Sequence, residues 1–513
     1  MQAYKHLEER FAKLTALRQI DSLLGWDRSV LMPEKGVDQR ARQLEVLNVV
    51  MHELQTDPQV GEWLAKTDRG ALSEWQKANV TVMEWLYGHA TALPAHLVAK
   101  KMNQQIKTEA VWRKARAASD FKMVQDDLAK LLDVVREQAE VKSKKLGKPL
   151  YDALMDPYAP DMTSQDVDAI FDDIAAFIPK FLDEVLEKQK EPLPFKAEFP
   201  QAAQEQLARQ LCEALGFTFD WGRLDASAHP FSTGIGDDVR ITTRYDAKNF
   251  VPAMQATAHE AGHGFYDRFT PREWHAQPVG ASQNMGMAIH ESQSLSIDMQ
   301  LFRSREFWQW FGPLAQKNFG GDGPEWTAEN LYAHATRVMR GFIRVEADEV
   351  TYPAHVILRY RLEKAMVEGK LEVKDLPAAW NDSMKQLIGA TPPDDRRGCL
   401  QDIHWYFGAF GYFPAYALGA FTAAQFVDKL KQDVPDAFAQ SAEGNFTPFT
   451  GWLRDNVQSK ACLYRPQELV EKVTGQKLST RFYKKHVTER YLGKAYEDGS
   501  CSATSAQEAK RRA

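Results

Sequence analysis

The sequence predicts a mainly α-helical protein, and three observations carry that prediction. Apolar residues recur at three- and four-residue steps over most of the chain, the period of one helix face. Strand signals are scarce: residues 237–246 (DDVRITTRYD) are one of the few places where β-branched side chains alternate. Breakers such as Pro33 and Pro94 punctuate the periodic runs.

Taken in order, residues 4–27 put Leu7, Phe11, Leu14, Leu17, Ile20 and Leu24 on one helical face. Similar spacing predicts helices at 38–54, 74–90, 96–118 and 120–145, whose Trp and Met residues read as core and whose charge runs read as solvated faces. A long helix follows over 164–190, with Ser164 as its N-cap. Residues 191–200 (EPLPFKAEFP) carry Pro192, Pro194 and Pro200, which break any helix and mark a hinge between an N-terminal portion, 1–190, and the remainder, 200–499. No self-contained boundary makes the two portions independent domains. The 237–246 strand, flanked by Gly234, Gly236 and Asn249, reads as an edge strand able to hold an extended peptide. A helix over 251–268 comes next, then a loop with Pro271, Pro278 and Gly280, then a second helix, MGMAIHESQSLSIDMQLF. Helical segments continue through 326–368; a loop at 391–398 precedes an aromatic-rich stretch, 400–420, and amphipathic helices run to about 490. Residues 500–513 are small and polar and read as a flexible tail.

Composition narrows the function classes. Of 513 residues, 44% are hydrophobic and 26% charged, an ordinary globular profile. The net charge of -6 favours neither nucleic acid nor an anionic membrane. The four cysteines are scattered with no CxxC pair, which argues against a disulfide framework or a cysteine zinc site and suits a reducing cytoplasm. The charged opening, MQAYKHLEERF, is no signal segment, and no stretch approaches 18 uninterrupted apolar residues, so no membrane span is expected.

The chemistry centres on HEAGH at 259–263. At about 100° per residue, His259 and His263 return to one helix face and can present two imidazoles to one metal ion. Glu260 can serve as base toward the water such a metal activates. A catalytic zinc usually takes a third protein ligand. Glu291, in HESQSLS on the following helix, is the candidate, against the alternative of a solvated side chain. Asp267, one turn beyond His263, either fixes the tautomer of a ligand imidazole or is an ordinary surface carboxylate. No GxSxG elbow, P-loop or dinucleotide-binding glycine motif is present.

Six short motifs then occur in one order: HPF at 229–231, DVRIT at 238–242, HEAGH at 259–263, HESQ at 290–293, IRVEAD at 343–348 and GCLQDIHW at 398–405; GYFPAY at 411–416 follows. With LLGWDRSVLMP near the start and LVEKVTGQKL near the end, the chain resembles the M32 metallocarboxypeptidases of the carboxypeptidase Taq type over nearly its whole length. One departure is Ala415, where the family often has threonine.

The resemblance implies His259, His263 and Glu291 as metal ligands, Glu260 as general base, and release of single amino acids from peptide C-termini with broad specificity. It implies one divalent metal per chain, zinc first and cobalt as an alternative, and a homodimer. The fold implied is of the gluzincin type shared with neurolysin- and ACE-like peptidases: one helical unit, 1–499, whose portions flank a deep groove, with a small sheet at the groove edge. His404 and Tyr416, twelve residues apart, match the spacing of oxyanion donors in related oligopeptidases; otherwise they read as core. For the free carboxylate of the substrate the motif arginines are Arg344 and then Arg240. Arg344 could instead pair with Asp348 at i,i+4 spacing. His229 and Asp238 would shape the site. The rival readings are an oligopeptidase or dipeptidyl carboxypeptidase on the same scaffold, and a non-catalytic helical peptide-binding protein.

Overall fold

The computed structural model describes residues 2–497; the expected tail at 500–513 lies outside them. Helices dominate, as the apolar periodicity predicts. The N-terminal portion contributes α1 (Gln2–Val30), α2 (Val37–Thr56), α3 (Pro58–Lys66), α4 (Glu74–Ala90), α5 (Ala95–Ala118), α6 (Lys122–Leu146), α7 (Leu150–Met155) and α8 (Ser164–Lys188). After α9 (Gln201–Leu215) comes the sheet, β1 (Gly222–Ala226), β2 (Ser232–Ile235) and β3 (Asp238–Thr243). Then follow α10 (Val251–Phe269), α11 (Met287–Leu295), α12 (Arg305–Phe319), α13 (Ala328–Ala335), α14 (Tyr352–Val367), α15 (Leu376–Ile388) and α16 (Pro414–Asp433). The chain closes with α17 (Ala437–Ser441), α18 (Thr447–Asn456), α19 (Pro466–Thr474) and α20 (Arg481–Val487). No helix among the described residues is long and apolar enough to cross a membrane.

Several sequence expectations change. The cap of α8 is Thr163, not Ser164: its hydroxyl accepts from Asp166 N while the Asp166 carboxylate accepts from Thr163 N. That reciprocal pair satisfies two of the N–H groups a helix start leaves free. Helix α9 carried no sequence signal of its own that stood out, and it packs on α10. The stretch 326–368 is not continuous helix. Residues 336–351 leave the helical path between α13 and α14, with a single tight turn at Arg344–Glu346. The strand read as an edge is central: β3 pairs in parallel with β1 (Arg223 beside Arg240) and antiparallel with β2 (Thr233 beside Arg240).

Residues 191–200 run extended, and Phe199 is fully buried among Phe250, Phe319 and Trp326. Backbone Leu193 exchanges hydrogen bonds with the Asn330 side chain. Two large apolar clusters hold the molecule, and each draws residues from both sides of this segment. One centres on α6, α8, α14 and α16; the other centres on α9, β3, α10 and α12. Helices α10 and α11 lie side by side, and α16 covers α11 from the other face.

Candidate active site

Helix α10 opens with Pro252 in its first turn, where a missing N–H costs nothing, and runs without interruption through HEAGH. Its buried face is almost continuous from Val251 to Asp267. A helix so enclosed must meet its neighbours closely, and Gly262 allows this. A Cβ at that position would stand 2.6 Å from Ser294 Cα and 2.7 Å from the Gln293 carbonyl oxygen of α11. Gly419 of α16 does the same on the far side, where a Cβ would fall 2.7 Å from Glu291 Cβ. Helix α11 is thereby clamped between two glycines, and Glu291 is carried to the histidines.

The resulting donor cluster is tight. The ligand-type atoms of His259, His263 and Glu291 all lie within 4.8 Å of one another. Glu291 Oε2 is 3.3 Å from His263 Nε2 and 3.9 Å from His259 Nε2. Ligand atoms roughly 2.1 Å from a tetrahedral ion lie about 3.4 Å apart, so two imidazoles and one carboxylate at this spacing fit a divalent cation. His263, Glu260 and Glu291 are buried, while the His259 side chain remains 22% exposed and opens the cluster to solvent.

Each imidazole is held from behind. His259 Nδ1 faces Asp298 Oδ2 at 3.3 Å. Asp298 reaches it because the helix after α11 widens into a π-helical segment, Ser296–Phe302. His263 Nδ1 lies 2.7 Å from His290 Nδ1, and His290 Nε2 lies 3.1 Å from Asp267 Oδ1, which also accepts from the Ser282 hydroxyl at 2.5 Å. Tautomers that satisfy this series have His263 Nδ1–H donating to His290 and His290 Nε2–H donating to Asp267, leaving His263 Nε2 free as a ligand. Asp267 therefore reaches the His263 imidazole only through His290, not directly as the sequence suggested.

Electrostatics follow from burial and neighbouring charge. Burial pushes the Glu260 carboxyl up to about 7. Burial opposes the charge on His259, but Glu291 and Asp298 outweigh it and carry His259 up to about 9. Burial pushes His263 down to about 4. Burial also works against the Glu291 charge, yet His259 and His263 hold that carboxyl below its ordinary value.

A second group adjoins the first. His404 Nε2 is 3.3 Å from the Tyr416 hydroxyl. Tyr416, Tyr352 and Tyr412 all stand close enough to Glu291 to feel its charge, and burial raises all three phenols, so they stay protonated. Burial pushes His404 down to about 4. The Arg344 guanidinium lies over the Tyr416 ring at 4.6 Å. Arg344 does not pair with Asp348, whose carboxylate instead accepts from the backbone of Met339, Val350 and Thr351. Its partner is Asp402: Arg344 Nε and Nη2 reach Oδ1 at 3.1 and 2.9 Å, and Arg359 Nε reaches Oδ2 at 2.6 Å. One half-buried carboxylate thus serves two buried guanidiniums, which leaves one unit of positive charge beside Tyr416.

The remaining motif residues lie apart. Arg240 is bound by Asp238 at 2.8 Å and stacked on Trp26 of α1 at 4.2 Å. Both line a cavity of about 280 Å³ bounded by α1, β2, β3 and residues 278–284, whose wall also includes Asp267. His229 is exposed, and its carbonyl accepts from the Ser227 hydroxyl. Sequence reasoning missed His290, Asp298, Asp402, Arg359 and Tyr412. Of these, His290, Asp402 and Tyr412 sit inside quoted motifs, so the motif letters were a signal; Asp298 and Arg359 carried none.

Two histidines four apart on a helix, a glutamate between them in sequence, and an acidic third donor from the next helix define a metallopeptidase of the HExxH type. Comparison with known proteins narrows the class. Residues 6–491 match the profile of the family described as carboxypeptidase Taq (M32) metallopeptidase. The chain is 35% identical to thermostable carboxypeptidase 1 of Thermus thermophilus over 503 residues, covering 95% of this chain and 98% of that one. It is 32% identical to carboxypeptidase 1 of Bacillus subtilis, covering 92% and 94%. Among solved structures, Trypanosoma cruzi metallocarboxypeptidase 1 superposes with a TM-score of 0.93 at 34% identity, covering 96% of this chain and 99% of that one. An M32 carboxypeptidase from Deinococcus radiodurans gives 0.91 at 33% identity, covering 96% and 99%. The chain belongs to the M32 family and is a metal-dependent carboxypeptidase.

Proposed function

We propose that the enzyme removes single C-terminal residues using His259, His263 and Glu291 as metal ligands, Glu260 as general base, and Arg344 as the anchor for the substrate carboxylate. The observation that supports this most is the unbalanced charge at Asp402. Two guanidiniums share one carboxylate, and the surplus cation sits against Tyr416, next to the donor cluster. A free peptide C-terminus supplies the missing anion; an internal peptide bond does not.

A bound divalent ion would polarise the scissile carbonyl and acidify water. Zinc suits the His2Glu donor set and cobalt accepts the same set. Glu260, held near neutral pKa by burial, takes the proton of the attacking water and returns one to the leaving amine. Tyr416, protonated, and His404, neutral at pH 7, donate to the oxygen on which charge develops. Asp298 and the His290–Asp267 pair fix the two imidazoles so that neither must reorient. Arg240, Asp238 and His229 bound the substrate channel on the sheet side.

The family resemblance extends this to broad specificity, a cytoplasmic location and a homodimer. In support of the homodimer, α2 buries none of its side chains and exposes Val46, Val49 and Val50. Light scattering on the purified chain tests it.

The test of activity is mass spectrometry of an unblocked peptide after chelation and re-addition of zinc or cobalt. A metal-dependent ladder of single-residue losses from the C-terminus is expected, and a C-terminal amide should abolish most of it. Internal or dipeptide cuts, or full activity on the amide, would replace this reading with that of an oligopeptidase.

A further inference from the structure

Residues 400–413 form neither helix nor strand, yet they carry His404 and lead into α16 and Tyr416. A segment outside any ladder takes its place from the side chains that reach it. Its own backbone bonds are local turns, such as Ala409 N to the His404 carbonyl at 2.8 Å, which shape the loop without placing it. The start of the loop is held from two sides. Trp112 Nε1 of α5 donates to the Leu400 carbonyl at 2.9 Å, and Arg359 of α14 donates to Asp402 at 2.6 Å.

Beyond Asp402 a second residue of α14 takes over. Glu363 lies one turn after Arg359, on the same helix face, and is fully buried. Its Oε2 accepts from Trp405 Nε1 at 2.7 Å, and its Oε1 accepts from Gly411 N at 2.5 Å. Tyr151 of α7 donates to the same Oε1 at 2.7 Å. Among the described residues, every hydrogen bond from 403–413 to a helix other than α16 ends on this carboxylate. Trp405 directly follows His404, and Gly411 directly precedes Tyr412. One carboxylate therefore closes both ends of the loop that presents His404.

The opposite side of the loop is fixed as well. Gly411 has a φ of 92°, and a Cβ there would stand 2.6 Å from the Leu154 carbonyl carbon of α7. No cation among the described residues pairs with Glu363, so hydrogen bonds alone meet its charge. Such a carboxylate is costly to bury, and an apolar side chain of similar volume often serves stability as well. What the carboxylate adds is direction, because it accepts at the two points where the loop begins and ends.

We propose that Glu363 is a positioning residue for the reaction: it holds Trp405 and Gly411 so that His404 Nε2 stays beside the Tyr416 hydroxyl, 3.3 Å away. The catalytic consequence rests on the reading of His404 and Tyr416 as donors to the developing oxyanion. The hold on the loop rests on the hydrogen bonds alone.

Glu363→Gln keeps the shape but leaves one acceptor oxygen, so an N–H must face a donor at one end of the loop. In the metal-loaded enzyme on an unblocked peptide, kcat should fall about 10- to 100-fold. KM should stay within about threefold, because the Arg344–Asp402 pair lies outside the bonds removed. Introduced into His404→Gln, the same change should cost less than about threefold in kcat, because the group it positions is already gone. Tyr151→Phe takes a donor from the same oxygen without touching the loop, and should keep kcat within about threefold of the parent. An unchanged kcat in Glu363→Gln, equal losses with and without His404, or a Tyr151→Phe loss as large as that of Glu363→Gln would overturn the proposal. If Glu363→Gln does not fold, Trp405→Phe removes the hold at the His404 end alone and carries the same comparison. If His404→Gln itself keeps full kcat, the oxyanion reading fails separately. Amide hydrogen exchange of the metal-free proteins then decides the hold. Faster exchange over 402–413 in Glu363→Gln but not in Tyr151→Phe sustains it, and exchange equal to the parent sinks it.

Discussion

Replacing Gly262 by alanine tests whether helix contact, rather than the motif letters, assembles the metal site. The new Cβ would start 2.6 Å from Ser294 Cα. Carbon atoms rest about 3.7 Å apart, so α11 must withdraw by roughly 1 Å. It has nowhere to go, because Gly419 already brings α16 into contact with Glu291 from behind. Overpacking of this kind costs roughly 1–3 kcal/mol, and alanine recovers about 1 kcal/mol over glycine within a helix. The net loss of stability is therefore modest, roughly 0–2 kcal/mol. The effect on the site is larger. A 1 Å shift of Glu291 would open its 3.3 Å approach to His263 to about 4 Å, and so take the one donor pair that matches the roughly 3.4 Å edge of a tetrahedral site away from that spacing. Metal affinity should fall roughly 10–100-fold and turnover about 100-fold. Calorimetric titration of zinc into the apoprotein, with thermal unfolding in parallel, measures both quantities. Two controls separate the causes. Gly264→Ala meets side chains of the sheet side, Val239 Cγ1 at 2.9 Å and Ile241 Cγ2 and Phe217 Cε2 at 3.4 Å, rather than the backbone of α11, and should leave metal affinity near the parent value. Gly25→Ala in α1 meets nothing within 4 Å and should stabilise by up to about 1 kcal/mol. If Gly262→Ala binds zinc as tightly as the parent and gains stability as Gly25→Ala does, the clamp argument is wrong.

Other outcomes follow from the same geometry. Glu260→Gln should bind metal and peptide yet lose roughly 100- to 10,000-fold in kcat, measured by single-turnover cleavage, because the base is gone while its shape remains. Asp402→Asn strands two buried guanidiniums and should cost roughly 3–5 kcal/mol in chemical denaturation, with KM for unblocked peptides raised as Arg344 loses its anchor. Stability should fall as pH drops below about 6.5. Burial pushes His486 down to about 4, so the unfolded chain takes up a proton there before the native state does; Glu349, held well below the carboxylate range by Arg490 and His486 against its burial, loses its contribution at still lower pH. His486→Gln should flatten the upper part of that decline in Tm between pH 7 and 4. Chelation should lower Tm, and zinc at about 100-fold its Kd should restore roughly 2.7 kcal/mol.

The parts of this architecture that were legible in the sequence share one property: their signal is local. Helical periodicity, the HExxH spacing and the glutamate of HESQ each show within a few turns of chain. What escaped depends on partners far away. Arg344 and Asp348 are four apart, yet the chain turns out of helix at 336 and sends Arg344 to Asp402 instead. The 237–246 segment reads as a strand by composition, but its central position depends on β1 and β2, too short to announce themselves. Asp298 faces His259 only because the helix widens after α11, and nothing in SIDMQLF signals a π-helical turn. The proline-rich segment looked like a hinge because prolines forbid helix; it is fastened because Phe195 and Phe199 were free to enter an aromatic cluster.

The two histidines proposed as ligands are supported in unequal ways, and the difference bears on how the site keeps its shape. His263 leans on a short relay, His290 to Asp267 to Ser282, enclosed between α10, α11 and the loop before α11. His259 leans on Asp298, which stands 3.5 Å from Arg303 in a buried charge network that continues through Glu349 to His486, Arg490 and Tyr491. That second network ties His259, the less buried of the two, to the C-terminal segment, more than two hundred positions further along the chain. A charge lost at Glu349 would leave Arg303 to draw Asp298 toward itself and away from His259, whereas the His263 relay would be untouched. Damage to the C-terminal helix should therefore disturb His259 and not His263, and Glu349→Gln should lower metal affinity in zinc titration as well as costing stability, because it also strands Arg490.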